Sequence, residues 1–179
     1  MTDVPAFVVG RRTDVLAWNA LGAALIADFR ELPPRQRNFA RLVFLDEHIG
    51  ALFCDQRRKG RDIVAFLHLD AGRHPDDPLL AELVGELSLH SQLFRQLWSE
   101  HPVGDKGHAG YELRHPIAGR LILAQEALRA TDDADQTLIT YTAEPGSPSE
   151  ASLRMLASWR AETPAEPAPS RLAPPVGEA

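Results

Sequence analysis

Val15-Leu16-Ala17-Trp18-Asn19-Ala20-Leu21-Gly22-Ala23-Ala24-Leu25-Ile26 is the stretch whose reading decides the fold. Its first four residues are apolar and β-prone, and the run from Ala20 is apolar at helical spacing. Asn19 stands between them. Its side-chain oxygen is suited to accept from the free amides of a first helical turn, so a strand is expected to hand over to a capped helix there. Upstream, Phe7-Val8-Val9 is a second β-rich run, and the polar Arg12-Thr13-Asp14 between the runs marks a turn. The chain therefore opens as a β-hairpin feeding directly into a helix that ends near Phe29, before Pro33-Pro34.

Working outward, the middle of the chain is helical. Leu42, Phe44 and Leu45 form the apolar content of a second helix. A third is expected from Glu47 to Ala71, with Ile49, Leu52, Phe53, Ile63, Val64 and Leu67 on its stripe and a lapse from Gln56 to Gly60. A fourth follows Pro75-Asp76-Asp77-Pro78, carrying Leu80, Leu83, Val84 and Leu87. Ser91 restarts a helical turn with Phe94, Leu97 and Trp98. The period then changes to two. Tyr111 to Arg114 alternates, His115 to Gly119 turns, and Leu121-Ile122-Leu123 resumes as a strand that Glu126 to Arg129 extends or follows. After a turn at Thr131 to Asp135 comes Thr137 to Thr142, the last strand. Ser149 is expected to cap a final helix with Leu153, Leu156 and Trp159. Strands at both ends of the chain must meet in one antiparallel sheet, with the helices on one face and a cavity between the layers. The fold class is α+β, in the order ββ, helices, βββ, helix.

Composition narrows the function classes. Nineteen Lys and Arg against 25 Asp and Glu give a net charge of −6, which argues against nucleic-acid binding by the chain itself. No apolar run is long enough to span a membrane, and the N-terminus lacks the basic and apolar regions of a signal peptide, so a cytoplasmic location is expected. The single Cys54 allows no intrachain disulfide. Residues 1–160 read as one domain. Residues 161–179 are rich in Pro and Ala with few large apolar side chains, and are expected to be disordered.

Five segments in order carry a resemblance. They are Gly10-Arg11-Arg12-Thr13-Asp14-Val15-Leu16-Ala17-Trp18-Asn19, Arg37 to Asp46, Arg73-His74-Pro75-Asp76-Asp77-Pro78, Arg114-His115-Pro116, and Tyr141 to Ser149. Together they resemble the PAS-like ligand-binding domain of MmyB-type transcription regulators, over roughly residues 4–157. Gln56 departs from that pattern where a Trp is expected, and Leu67-His68 where Leu-Arg is expected. The resemblance implies a sensor that holds a hydrophobic small molecule, such as a fatty acid, and adjusts DNA binding by an attached Cro-type (XRE) helix-turn-helix. No helix-turn-helix is read before Pro5, so contact with DNA is expected only through such a domain.

Phe7, Trp18, Phe44, Phe66, Phe94 and Trp98 are the aromatic candidates for the pocket lining, each also suited to plain core packing. A carboxylate ligand would want a cation at the mouth, because a buried unpaired charge is costly; Arg73 or His74 is assigned that role. No cofactor is expected. His101, His108 and His115 lack metal-ligand spacing. Cys54 reads as a small buried hydrophobe, out of phase with His48, and Gly10 and Gly22 are isolated from any phosphate-binding pattern. Arg57-Arg58-Lys59-Gly60-Arg61 reads as a solvated helix face more readily than as a DNA contact, and Arg35, Arg37 and Arg41 carry the same ambiguity. A homodimer through the first and last helices is expected. The rival readings are a ligand-free interaction module and a small hydrolase.

Overall fold

The structure is a computed structural model that describes residues 4–100, 109–129 and 135–161. Strands β1 (Ala6–Val9) and β2 (Val15–Trp18) open the chain. Six helices follow: α1 (Ala20–Leu25), α2 (Phe39–Leu45), α3 (Glu47–Leu52), α4 (Gln56–Arg73), α5 (Pro78–His90) and α6 (Gln92–Glu100). Then come β3 (Ala109–His115), β4 (Gly119–Arg129), β5 (Thr137–Thr142) and the last helix, α7 (Pro148–Ala161). The five strands form one antiparallel sheet in the order β2-β1-β5-β4-β3, so strands from the two ends of the chain do meet, at the β1–β5 pair.

The helix starts are side-chain caps, expected from sequence at Asn19 and Ser91 and added by the structure at Asp77. Asn19 accepts from the amide of Gly22, Asp77 from Leu79 and Leu80, and Ser91 from Phe94. The last cap lies two residues before its expected place. Ser147 accepts from the amide of Glu150 and Pro148 opens the helix, while Ser149 reaches back to accept from the amide of Ile122 on β4. That stretch of β4 runs past the end of β5, so the hydroxyl satisfies an edge amide that no strand reaches.

The long third helix expected over 47–71 is two helices. Asp46 caps α3 and Asp55 caps α4, and between them Phe53 bridges to Leu113 while Cys54 donates its amide to Glu112. Two aspartate caps nine residues apart override a nearly continuous apolar stripe. The break leaves Cys54 exposed instead of buried. Helix α1 stops at Leu25, short of Phe29, and β4 runs on through Arg129 as one strand. Gly119 holds the β3–β4 turn at a φ of 72°, where a side chain would be strained.

Strand register fixes which side chains face the helices. Tyr111 and Leu113 lie opposite Leu123 and Leu121, Gln125 opposite Tyr141, and Ile139 opposite Phe7. With period-two alternation these line the inner face, and Ile122 and Leu128 point away, each 55% exposed. Helix α4 approaches α2 and α6 at Gly60, where a methyl group would meet Leu97 at 2.8 Å and Phe44 at 3.1 Å. That approach turns one face of α4 toward the inner face of the sheet.

Candidate ligand-binding site

Lys59 lies on the first turn of α4, in helical phase with Ile63 and Leu67, and is 4% exposed. Its nitrogen is 2.5 Å from Oε1 of Gln125 on β4 and 3.0 Å from the hydroxyl of Tyr141 on β5. Tyr141 also donates to Gln125 at 2.8 Å, closing a polar triad inside the core. Four rings surround the same nitrogen: Tyr111 at 4.6 Å, Phe39 and Phe53 at 5.2 Å, and Tyr141 at 5.6 Å from the centroids. Burial pushes the amine down to about 7, with the charge of Asp62 acting in the opposite sense. Tyr111 donates to Asp62, and burial raises the pKa of both tyrosines, so the phenols stay protonated as donors.

A cavity of about 80 Å³ adjoins this triad, lined by Val9, Phe39, Ile63, Phe66 and Ile139 on its apolar side and by Lys59, Asp62, Gln125 and Tyr141 on its polar side. Phe66 also lines a narrow surface gap with Arg11, Asp70, Arg73 and Arg129. Phe66 is thus a wall common to both spaces.

The expected lining residues are not brought to one place. Phe66 lines the cavity. Phe7 stands behind it, edge-on to Tyr141 and Phe39. Trp18 packs on Phe29 at the far end of the hairpin, under the guanidinium of Arg37. Phe44, Phe94 and Trp98 form a filled aromatic stack between α2 and α6, extended by His68 lying flat on Trp98 at 3.8 Å. Arg73 is at the surface gap, and His74 lies 3.8 Å from Asp70 and 3.5 Å from Asp135. His68 also bonds the carbonyl of Trp98, and Gln56 donates to the carbonyl of Val43, so both departures from the family pattern have packing roles.

Lys59 was hidden in the basic run. Arg57 pairs with Glu100 at the surface, Arg58 bonds the carbonyl of Gly110 over the Tyr111 ring, and Arg61 is exposed. These three form a solvated face as expected; Lys59 does not belong to it. The signal was its phase, four residues before Ile63.

The segments that carried the resemblance tie the hairpin to the helices. Arg12 and Thr13 adopt φ values of 57° and 65°, in the left-handed region. The fully buried Asn38 holds this turn by donating to the carbonyl of Arg12 and to Asp14, while accepting from Thr13 and the amide of Arg41. Arg11 and Arg12 both reach Asp77 (2.6 and 2.8 Å), and Arg11 also reaches Asp70. This knot stands beside the cavity, because Thr13 contributes to its wall.

A larger cleft of about 610 Å³ opens at the other end of the sheet, between α1, α3, the β3–β4 turn and Trp159 of α7. His115 lines it in a structural role. Its Nδ1 accepts from the amides of Ile117 and Ala118, which leaves Nε2 to donate to the carbonyl of Ala24. Burial lowers its pKa, the bond to Ala24 acting against this. The charged side chains that line this cleft, Asp28 and Arg114, are partly or fully exposed, unlike Lys59.

Among the described residues, no group of three or more His, Cys, Asp or Glu is placed to hold a metal ion, and no helix is long and apolar enough to cross a membrane. His101, His108, most of the Thr131–Asp135 turn and the Pro-rich segment after Ala161 lie outside the described residues.

An antiparallel 2-1-5-4-3 sheet with helices over a cavity of mixed polarity is a PAS-like α+β arrangement of the ligand-binding kind. The chain belongs to the MmyB-like transcription regulator ligand binding domain family, whose family model matches residues 1–156. A search of the curated proteins found no match.

Proposed function

We propose that this domain senses a hydrophobic small-molecule effector, such as a fatty acid, in the space between α4 and the inner face of the sheet. The effector would adjust DNA binding by an attached or partner helix-turn-helix of the Cro type, in the cytoplasm. The observation that carries this reading is Lys59: an amine sealed in the core, beside an unfilled space walled by apolar side chains. Proteins seldom bury a lysine without a paired charge, since the cost is several kcal/mol, so its placement calls for a partner. No catalytic step belongs to the reading. Cys54 and His48 are both exposed, His48 on the first turn of α3 and Cys54 just past its end.

A homodimer is part of the proposal. Helix α1 is buried against the chain's own α7, which leaves the last helix, with Trp159 52% and Met155 51% exposed, as the face that supports it.

A second reading, an interaction module that binds no ligand, is favoured by the cavity's size. About 80 Å³ is the liquid volume of two to three waters. An acyl chain longer than a few carbons must extend beyond this cavity. Native mass spectrometry after gentle purification separates the two. The sensor reading predicts a co-purifying small molecule or saturable uptake of added fatty acid, and a protein that stays empty under both conditions supports the interaction module.

A further inference from the structure

We propose that the head of the effector is a carboxylate seated on Lys59 beside Tyr141 and Gln125, and that Lys59 takes up a proton as the acid binds. The inference rests on the sensor reading above and adds which end enters first, what reads it and how pH governs it.

An ammonium has three donors, and Gln125 and Tyr141 engage two of them. None of the ion pairs among the described residues includes Lys59. The groups that face it are Asp62 on its own helix, Tyr111 from β3, Gln125 from β4, Tyr141 from β5, Phe39 from α2 and Phe53 from the break before α4. Asp62 is the one carboxylate in that set, and its oxygen accepts from Tyr111. The rings stabilise a cation modestly through their faces and provide no counter-charge. A carboxylate in the adjoining cavity would supply it, accept the third donor and leave its chain among Ile63, Phe66 and Ile139.

With no acid bound the amine titrates at about 7, so above that pH binding must restore a proton that the free protein has lost. Affinity for an acid then falls by about tenfold for each pH unit above the midpoint, and is flat below it until the acid itself is protonated. An uncharged ligand of the same chain length shows no such slope.

The test is calorimetric titration of the full chain with decanoate and with decanol at pH 6.5 and 8.5, repeated at pH 8 in two buffers of different ionisation heat. The expected result is at least tenfold tighter binding of decanoate at pH 6.5, a drop of roughly tenfold or more at pH 8.5, and buffer-dependent heat reporting proton uptake. Lys59→Met should lose the acid preference and the pH slope while still taking decanol. Equal binding of acid and alcohol overturns the proposal and leaves the sensor reading standing, as does a flat pH profile or a Lys59→Met protein that keeps its decanoate affinity. Binding of neither probe overturns both. Should Lys59→Met fail to fold, the slope and proton uptake of the unsubstituted chain decide alone.

Discussion

The side-chain nitrogen of Lys59 lies 3.0 Å from the hydroxyl of Tyr141, joining the first turn of α4 to the central strand β5 through a contact wholly inside the core. Tyr141 itself donates to Gln125, so removing the lysine leaves neither partner unsatisfied. The pair thus costs stability on account of the amine, not of its neighbours.

Lys59→Met should therefore stabilise the empty domain below pH 7, by on the order of 3 kcal/mol after allowance for the lost ring contacts. The sign follows from linkage. The folded-state pKa, about 7, lies below the unfolded value, so the unfolded chain binds more protons between about 7 and 10. Stability of the unsubstituted chain rises with pH across that window, at up to about 1.4 kcal/mol per unit, and the gap to Lys59→Met closes. Urea unfolding of both proteins at pH 6 and pH 9 measures it; equal midpoints at pH 6 would show that the amine is not strained.

Asp77 joins two functions in one carboxylate, capping α5 through Leu79 and Leu80 and receiving both Arg11 and Arg12. Asp77→Ala should cost about 2–4 kcal/mol, since it removes a cap and leaves two guanidinium groups without their shared acceptor. Desolvation pushes this carboxyl up, but the Arg12 bond and the two amides more than offset it, and its net pKa is lowered. Its stabilisation is then present above the ordinary aspartate value near 3.9 and is lost as pH falls through the lower folded value. Acid titration of the Asp77→Ala protein should show a shallower loss of stability than that of the unsubstituted chain.

Phe66 lines both the inner cavity and the surface gap beside Arg73. Phe66→Ala should open the two into one channel, lowering stability by about 2–4 kcal/mol and shifting the preferred acyl length upward. Competition among octanoate, dodecanoate and hexadecanoate reads the shift; an unchanged preference would place the chain elsewhere.

Much of the fold was legible because it depends on local chemistry. Asn19 and Ser91 cap where short polar side chains before apolar runs predict caps, and the period change after Gly110 marked the return to strands. The split at Phe53 to Asp55 was not legible, because the apolar stripe continues across it and the break is held by β3, distant in sequence. The site was hidden for a related reason. Lys59 sits among three arginines that do face solvent, and its burial depends on the strands that bring Gln125 and Tyr141 across from it. Phe44, Phe94 and Trp98, expected at the lining, stack on one another between α2 and α6. Arg73, expected with His74 as a partner for the ligand's charge, lines the surface gap and not the cavity.

The central claim is that the effector lies between α4 and the sheet and not in the larger cleft at the other end. Methyl chemical-shift mapping of the full chain with added decanoate at pH 6.5 tests this directly. The account predicts saturable shifts centred on Val9, Ile63 and Ile139, which line the inner cavity. Shifts centred on Ile26, Ile49 and Ile117, which line the outer cleft, would contradict it, as would no shift at saturating ligand.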